Sequence, residues 1–184
     1  GADGQVRDRI VRGGHNGKRR FSLCPLSMKG LDVQTAPGIL TGLSPILDAN
    51  VETLILGSFP SPASLAAHHY YAHPQNQFWR IMAEVLGEPI AGYDYARKQH
   101  CLLRHRIGVW DVYRTCRRQG ALDSAIQAAE ANDLQRLKAD APRLTRVFFN
   151  GKTSGKFERW FSECGYDTRV LPSTSPAYTL AFPR

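Results

Sequence analysis

Long apolar runs are missing from this chain of 184 residues. No stretch approaches the roughly 20 consecutive apolar residues that a bilayer-spanning helix needs, and no secretory leader pattern is present. Cysteine is scarce too. Cys24, Cys101, Cys116 and Cys164 are too few for a disulfide scaffold, which points to reduced thiols in a cytoplasmic protein. Acidic charge is in short supply: 16 Asp and Glu face 24 Lys and Arg, a formal net charge of +8. Such an excess suits a polyanionic partner. Half of it, however, lies in residues 1–27, where Arg7, Arg9, Arg12, Lys18, Arg19 and Arg20 outweigh Asp3 and Asp8. That segment is rich in glycine and has no apolar period, so disorder is expected there. The first methionine is Met28, and the tail is expected to be an upstream extension. With the irregular lead-in that follows, it makes a segment 1–42 ahead of one working domain, 43–184.

From residue 53 onward, elements alternate. Thr53-Leu54-Ile55-Leu56 reads as a short buried strand, and Ile107-Gly108-Val109-Trp110, Arg146-Val147-Phe148-Phe149 and Thr168-Arg169-Val170-Leu171 as three further strands. Helices are predicted over 76–86, 94–105, 122–139 and 153–164. The first stops at Gly87 and Pro89 and the last at Gly165. Strands alternating with helices predict a three-layer α/β/α fold around a central, mostly parallel four-stranded sheet. In such sheets ligands bind beyond the carboxyl ends of the strands. The residues there are Gly57-Ser58-Phe59-Pro60, Asp111, Asn150-Gly151 and Pro172-Ser173-Thr174-Ser175, all small, polar or rich in Gly and Pro.

Three other patterns fall short. Asn150-Gly151-Lys152-Thr153 follows a strand like the end of a phosphate-binding loop, but Arg146 stands where the required first glycine belongs. Among His68, His69 and His73, the pair 69 and 73 is four residues apart, but no helix is predicted there to put them on one face, so no metal site is expected. Cys101 and Cys116 have no Cys-x-x-Cys partner to complete an iron–sulfur ligand set and read as small buried hydrophobes.

The stretch Tyr70-Tyr71-Ala72-His73-Pro74-Gln75-Asn76-Gln77-Phe78-Trp79-Arg80 is more specific. It resembles the His-Pro-x-Asn-Arg-Phe-Trp-Lys block of the mismatch-specific branch of the uracil-DNA glycosylase superfamily. Gly57-Ser58-Phe59-Pro60-Ser61 resembles that superfamily's first motif, and Leu171-Pro172-Ser173-Thr174-Ser175-Pro176 its second. Gly108–Tyr113 and Phe149–Lys152 fill the places between. Taken together, residues 43–184 most resemble the hypoxanthine (deoxyinosine) DNA glycosylase family. The resemblance implies a uracil-DNA-glycosylase-like fold and a monofunctional enzyme of base excision repair. Such an enzyme hydrolyses the N-glycosidic bond of a flipped, deaminated base in double-stranded DNA. It implies no cofactor, no metal and a monomer. Uracil excision, or DNA binding without catalysis, are the alternatives.

The resemblance also implies roles. The superfamily's first motif usually carries Asn or Asp to position water; here the position is Phe59, and the family's catalytic asparagine carries over to Asn76. From its chemistry, Asn76 can hold a water with its amide oxygen; the alternative is a helix cap. Tyr71 offers a flat ring for stacking the base, or is a core tyrosine. Asp111 can accept a hydrogen bond from N1–H of hypoxanthine, disfavouring adenine, or it orients water, or it caps a turn. Ser58, Phe59 and Asn150 are implied beside the base. Ser173, Thr174 and Ser175, with Lys152, are placed against phosphates. Pro176, Ala177 and Tyr178 are candidates for the wedge that fills the gap in the stack. His73 is expected to brace its loop. Family members usually continue into a closing helix, so this chain, ending at Arg184, is expected to lack it.

Overall fold

The structure, a computed structural model, describes residues 38–177. Residues 1–37, with the basic tail and Cys24, and residues 178–184, with Tyr178, lie outside the described residues.

The predicted parallel sheet is present. Its strands are β2 (Thr53–Gly57), β3 (Ile107–Asp111), β6 (Arg146–Asn150) and β7 (Asp167–Leu171), all parallel, in the order β3-β2-β6-β7. Strand β2 sits at the centre because its sequence, Thr-Leu-Ile-Leu-Gly, can be covered on both faces. On one face Leu54, Leu56, Val147 and Phe149 pack with Leu134, Leu137 and Phe161. On the other, Ile55 and Val109 meet Phe78, Trp79, Met82, Ile90 and Leu102. The second group comes from α2 (Phe78–Leu86), the 3-10 turn Ile90–Gly92 and α3 (Tyr95–Arg104). The first comes largely from α4 (Leu137–Asp140) and α5 (Glu158–Glu163). These layers make the three-layer α/β/α arrangement. Gly87 ends α2 in the left-handed conformation that glycine adopts without steric cost.

Phe161 is fully buried and its ring meets Phe149 edge-on at 5.6 Å. Phe161→Ala is expected to destabilise the fold by about 3–5 kcal/mol. Denaturant titration checks this; a cost under about 1 kcal/mol would contradict the packing described.

The helix predicted over 122–139 is not there. A 3-10 turn (Asp123–Ala125), a strand β5 (Gln127–Ala131) and a second 3-10 turn (Leu134–Arg136) precede the short α4. Alanine and glutamine favour helix, but the segment has no apolar face to bury before Leu134. Pairing with a neighbouring strand overrides the propensity. That neighbour is β4 (Tyr113–Arg117), which leaves β3 after the single residue Val112 and lies antiparallel to β5. On its other side β4 pairs with β1 (Leu40–Thr41), within the segment read as irregular lead-in. A short helix, α1 (Pro62–Ala67), also went unread; Ser61 caps it, accepting from the Ser64 N–H at 3.1 Å, and proline occupies its first turn.

The β4–β5 connection is the feature that matters for the site. It carries residues 118–126 over the carboxyl ends of the parallel strands.

Candidate active site

A cavity of about 510 Å³ opens beyond the carboxyl ends of the parallel strands. All four sets of strand-end residues line it: Gly57–Pro60, Asp111, Asn150–Gly151 and Pro172–Ser175. Tyr71, Asn76 and Lys152 join them. The sequence-predicted site residues within the described range are thus brought together. The sequence reading missed Ala121, Leu122, Asp123 and Ser124 of the β4–β5 connection, which also line the cavity. Leu122, Asp123 and Ser124 lie inside the segment predicted as a helix, and Ala121 directly precedes it. Gln119-Gly120, a turn-forming pair just ahead of them, was the available signal.

The floor is built on Gly57. A Cβ there would collide with Asp111 Oδ1 and come within 3.6 Å of the Tyr71 hydroxyl oxygen. Absence of a side chain lets an acid and a phenol approach the same backbone. Asp111 is only 4% exposed, and its Oδ2 is buried without a hydrogen-bond partner. Burial, then the negative charge of Asp123, push its carboxyl up to about 8 against the opposing pull of Arg118. At pH 7 most of it carries its proton.

The Tyr71 ring stacks on Phe78, with centroids 3.8 Å apart. Its hydroxyl is buried beside the Asn150 amide yet makes no hydrogen bond of ordinary geometry. Burial and the Asp111 charge raise its pKa well above the usual value. Tyr71 also has φ of 54°, a left-handed conformation that costs of order 1–3 kcal/mol in a non-glycine residue. Two buried polar groups without ordinary partners therefore face one cavity. Such groups are costly unless something else completes them.

The other predicted residues are tied in by named contacts. Asn76 Oδ1 accepts the Phe78 N–H at 3.0 Å in a turn that leads into α2, while Gln77 stands at the cap position itself. The bond leaves the second lone pair of the Asn76 oxygen unspent. His73 Nδ1 accepts the Gln75 N–H at 3.2 Å, bracing the loop. Asn150 makes a reciprocal pair with Thr174, donating to its hydroxyl and accepting its N–H, both at 2.9 Å. The Thr174 carbonyl in turn accepts the Gln77 N–H at 3.0 Å. The second motif is thereby fastened to β6 and to the start of α2. Ser173 and Ser175 hydroxyls each accept a backbone N–H two residues on, at 3.2 and 3.3 Å. Ser58 Oγ lies 2.8 Å from both carboxylate oxygens of Asp123. Phe59 is buried with the Arg118 guanidinium 5.2 Å above its ring, and Arg118 also donates to the Pro60 carbonyl at 2.6 Å. Lys152 is exposed at the rim.

The three histidines do not converge. His69 stacks on Tyr95 at 3.9 Å, His68 closes α1 and His73 is in its loop. Among the described residues, the side chains close enough to share a metal ion are Glu88, Cys101 and His105. None of these lines the cavity, and Arg104 Nη2 already bonds both Glu88 carboxylate oxygens. Among the described residues, no helix is long and apolar enough to cross a membrane.

Comparison with known proteins agrees with this geometry. A hypoxanthine DNA glycosylase from Methanosarcina barkeri is 42% identical over 136 residues, covering 74% of this chain and 86% of the relative. A second, from Methanosarcina acetivorans, is 42% identical over 139 residues, covering 76% and 88%. A solution NMR structure of an M. acetivorans protein, provisionally described as a uracil DNA glycosylase, superimposes with a TM-score of 0.70 at 42% identity, covering 76% of this chain and 86% of that one. The family model described as the uracil DNA glycosylase superfamily matches residues 44–184, the span that contains every strand of the parallel sheet and every strand end of the cavity, and the chain belongs to that superfamily.

Proposed function

We propose that this protein is a monofunctional DNA glycosylase that removes hypoxanthine from deoxyinosine in double-stranded DNA, acting as a monomer in the cytoplasm. The observation that carries the reading is the floor of the cavity: a neutral, unpartnered carboxyl and a phenol hydroxyl, in a chain 42% identical to proteins named hypoxanthine DNA glycosylase. A glycosylase flips its nucleotide out of the duplex and holds the base by stacking and edge hydrogen bonds. A cavity of about 510 Å³ lies within the range that encloses small ligands, roughly 300–1,000 Å³.

Protonation of Asp111 changes how the edge is read. A carboxylate only accepts. A carboxylic acid accepts with its carbonyl and donates with its hydroxyl. It can therefore meet the N1–H and O6 of hypoxanthine together. Adenine's edge fits the same acid with the roles reversed, so Asp111 alone does not reject adenine, and discrimination passes to the rest of the cavity. Tyr71 and Asn150, with Ser58 and Phe59, complete the wall around the base. Asn76, held by its bond to the Phe78 N–H, places a water with its free lone pair. The Ser173, Thr174 and Ser175 hydroxyls accept within the protein and keep their protons to donate to phosphates, with Lys152 adding charge at the rim.

Incubating the protein with duplexes containing deoxyinosine or deoxyuridine tests this. Release of free hypoxanthine, with the strand intact until alkali cuts the abasic site, is the expected result. Release of uracil alone, or of neither base, would overturn it.

A further inference from the structure

Among the described residues, two carboxyl groups line the cavity, and their surroundings differ. Asp111 is sealed in the floor and carries a proton at neutral pH. Asp123 is an exposed residue at the start of a 3-10 turn, and its carboxylate reaches across to the end of β2, 2.8 Å from Ser58 Oγ. The next residue on that strand end is Phe59, which offers no polar group. A carboxylate is thus delivered to the carboxyl end of the central strand by a different part of the chain.

We propose that Asp123 is the catalytic carboxylate of this site, balancing the cationic sugar carbon of the flipped nucleotide and accepting the proton of the attacking water. The inference rests on the glycosylase reading above. Cleavage breaks the bond between C1′ and N9, and its electron pair leaves with hypoxanthine. The sugar is left with oxocarbenium character, and a water oxygen then bonds to C1′. One proton of that water must go to a base; from there it passes to the departing hypoxanthine or to solvent. The net change is one water consumed, one free base and one abasic sugar formed.

Neither of the other candidates can accept that proton. The Asn76 amide is not basic, and its oxygen already holds the Phe78 N–H. Asp111 is already protonated at neutral pH. The negative charge of Asp123 raises both Asp111 and Tyr71, so it acts on the groups at the floor across the cavity. Ser58 fixes the Asp123 carboxylate, and the hydroxyl's single proton leaves the carboxylate further lone pairs for water.

Asp123→Asn keeps an oxygen that can accept from Ser58 while removing the charge. Single-turnover release of base should fall about 10²-fold or more, the usual worth of a positioned acid or base, with duplex affinity changed less than about threefold. Asp123→Ala should fall at least as far, and added formate should restore its rate about tenfold or more by supplying the missing carboxylate. Ser58→Ala, which frees the carboxylate without removing it, should lose only about tenfold, the worth of one positioning hydrogen bond. An Asp123→Asn rate within about threefold of the parent, or an Asp123→Ala enzyme that formate leaves unchanged, would overturn the proposal. Every variant is run on both the deoxyinosine and deoxyuridine duplexes. If the parent releases only uracil, the hypoxanthine reading fails and Asp123 is judged on uracil. A parent that releases neither base overturns both.

Discussion

Asn76→Ala is expected to lower single-turnover release of hypoxanthine by about 10²-fold or more, the cost of removing a group that acts on the transition state. The chain should still fold. Asn76 lines the cavity and its Oδ1 holds the first helical N–H of α2, so alanine also removes that bond at the helix start. That loss costs about 0.5–2 kcal/mol, small beside the fall in rate. Thermal melts and rates measured together separate the two effects. Asn76→Ser supplies a shorter accepting side chain but withdraws the amide from the cavity. A rate as low as the alanine variant's, with stability recovered, assigns the amide to the reaction. Near-parent rates from a folded alanine variant would remove Asn76 from catalysis.

Asp111 should produce the second large effect, and its direction with pH follows from burial. Its carboxyl rises from an ordinary value of 3.8 to about 8 in the folded chain. The folded state therefore binds this proton more tightly than the unfolded state. The stabilisation this gives is fully present below about pH 4 and is lost as pH rises through about 8. Asp111→Asn cannot ionise, so it should be more stable than the parent above pH 8, on the order of a few kcal/mol. Melting temperatures between pH 5 and pH 9.5 would show the parent falling away from the variant. Activity follows the same logic. The amide of asparagine donates and accepts as the neutral acid does, so Asp111→Asn should keep excision at pH 7 within about tenfold. Its rate should stay level where the parent declines through about 8. Asp111→Leu, which offers no polar atom, should lose about 10²-fold. If the parent's rate holds from pH 7 to 9.5, or the asparagine variant is as impaired as leucine at pH 7, Asp111 does not read the base as a neutral acid.

The alternation of apolar runs with helical segments placed the four parallel strands to within a residue or so: burial leaves a nearly unbroken apolar mark in β2, β3 and β6, while the edge strand β7 is largely exposed and was placed by its position after the last helix. Gly87 and Gly165 marked helix ends for a local reason: both take positive φ. The strand-end residues were legible as a set because a parallel α/β sheet puts all its carboxyl ends on one side. The segment 122–139 was misread for want of a local signal. Gln127–Ala131 is exposed almost throughout, so no burial pattern distinguished strand from helix, and the unpaired edge of β4 decided the matter.

The sequence alone determined the layered fold, the family resemblance and the strand-end residues of the cavity, because short-range apolar pattern and motif order carry that information. Only the tertiary structure decided that Asp111 is neutral, since its pKa depends on burial and on charges 12 and 7 residues away in Asp123 and Arg118. It alone set Asp123 against Ser58, 65 residues apart in the chain, because a hydrogen bond across that distance is formed by the folding of the β4–β5 connection over the sheet and leaves no mark in the residues on either side.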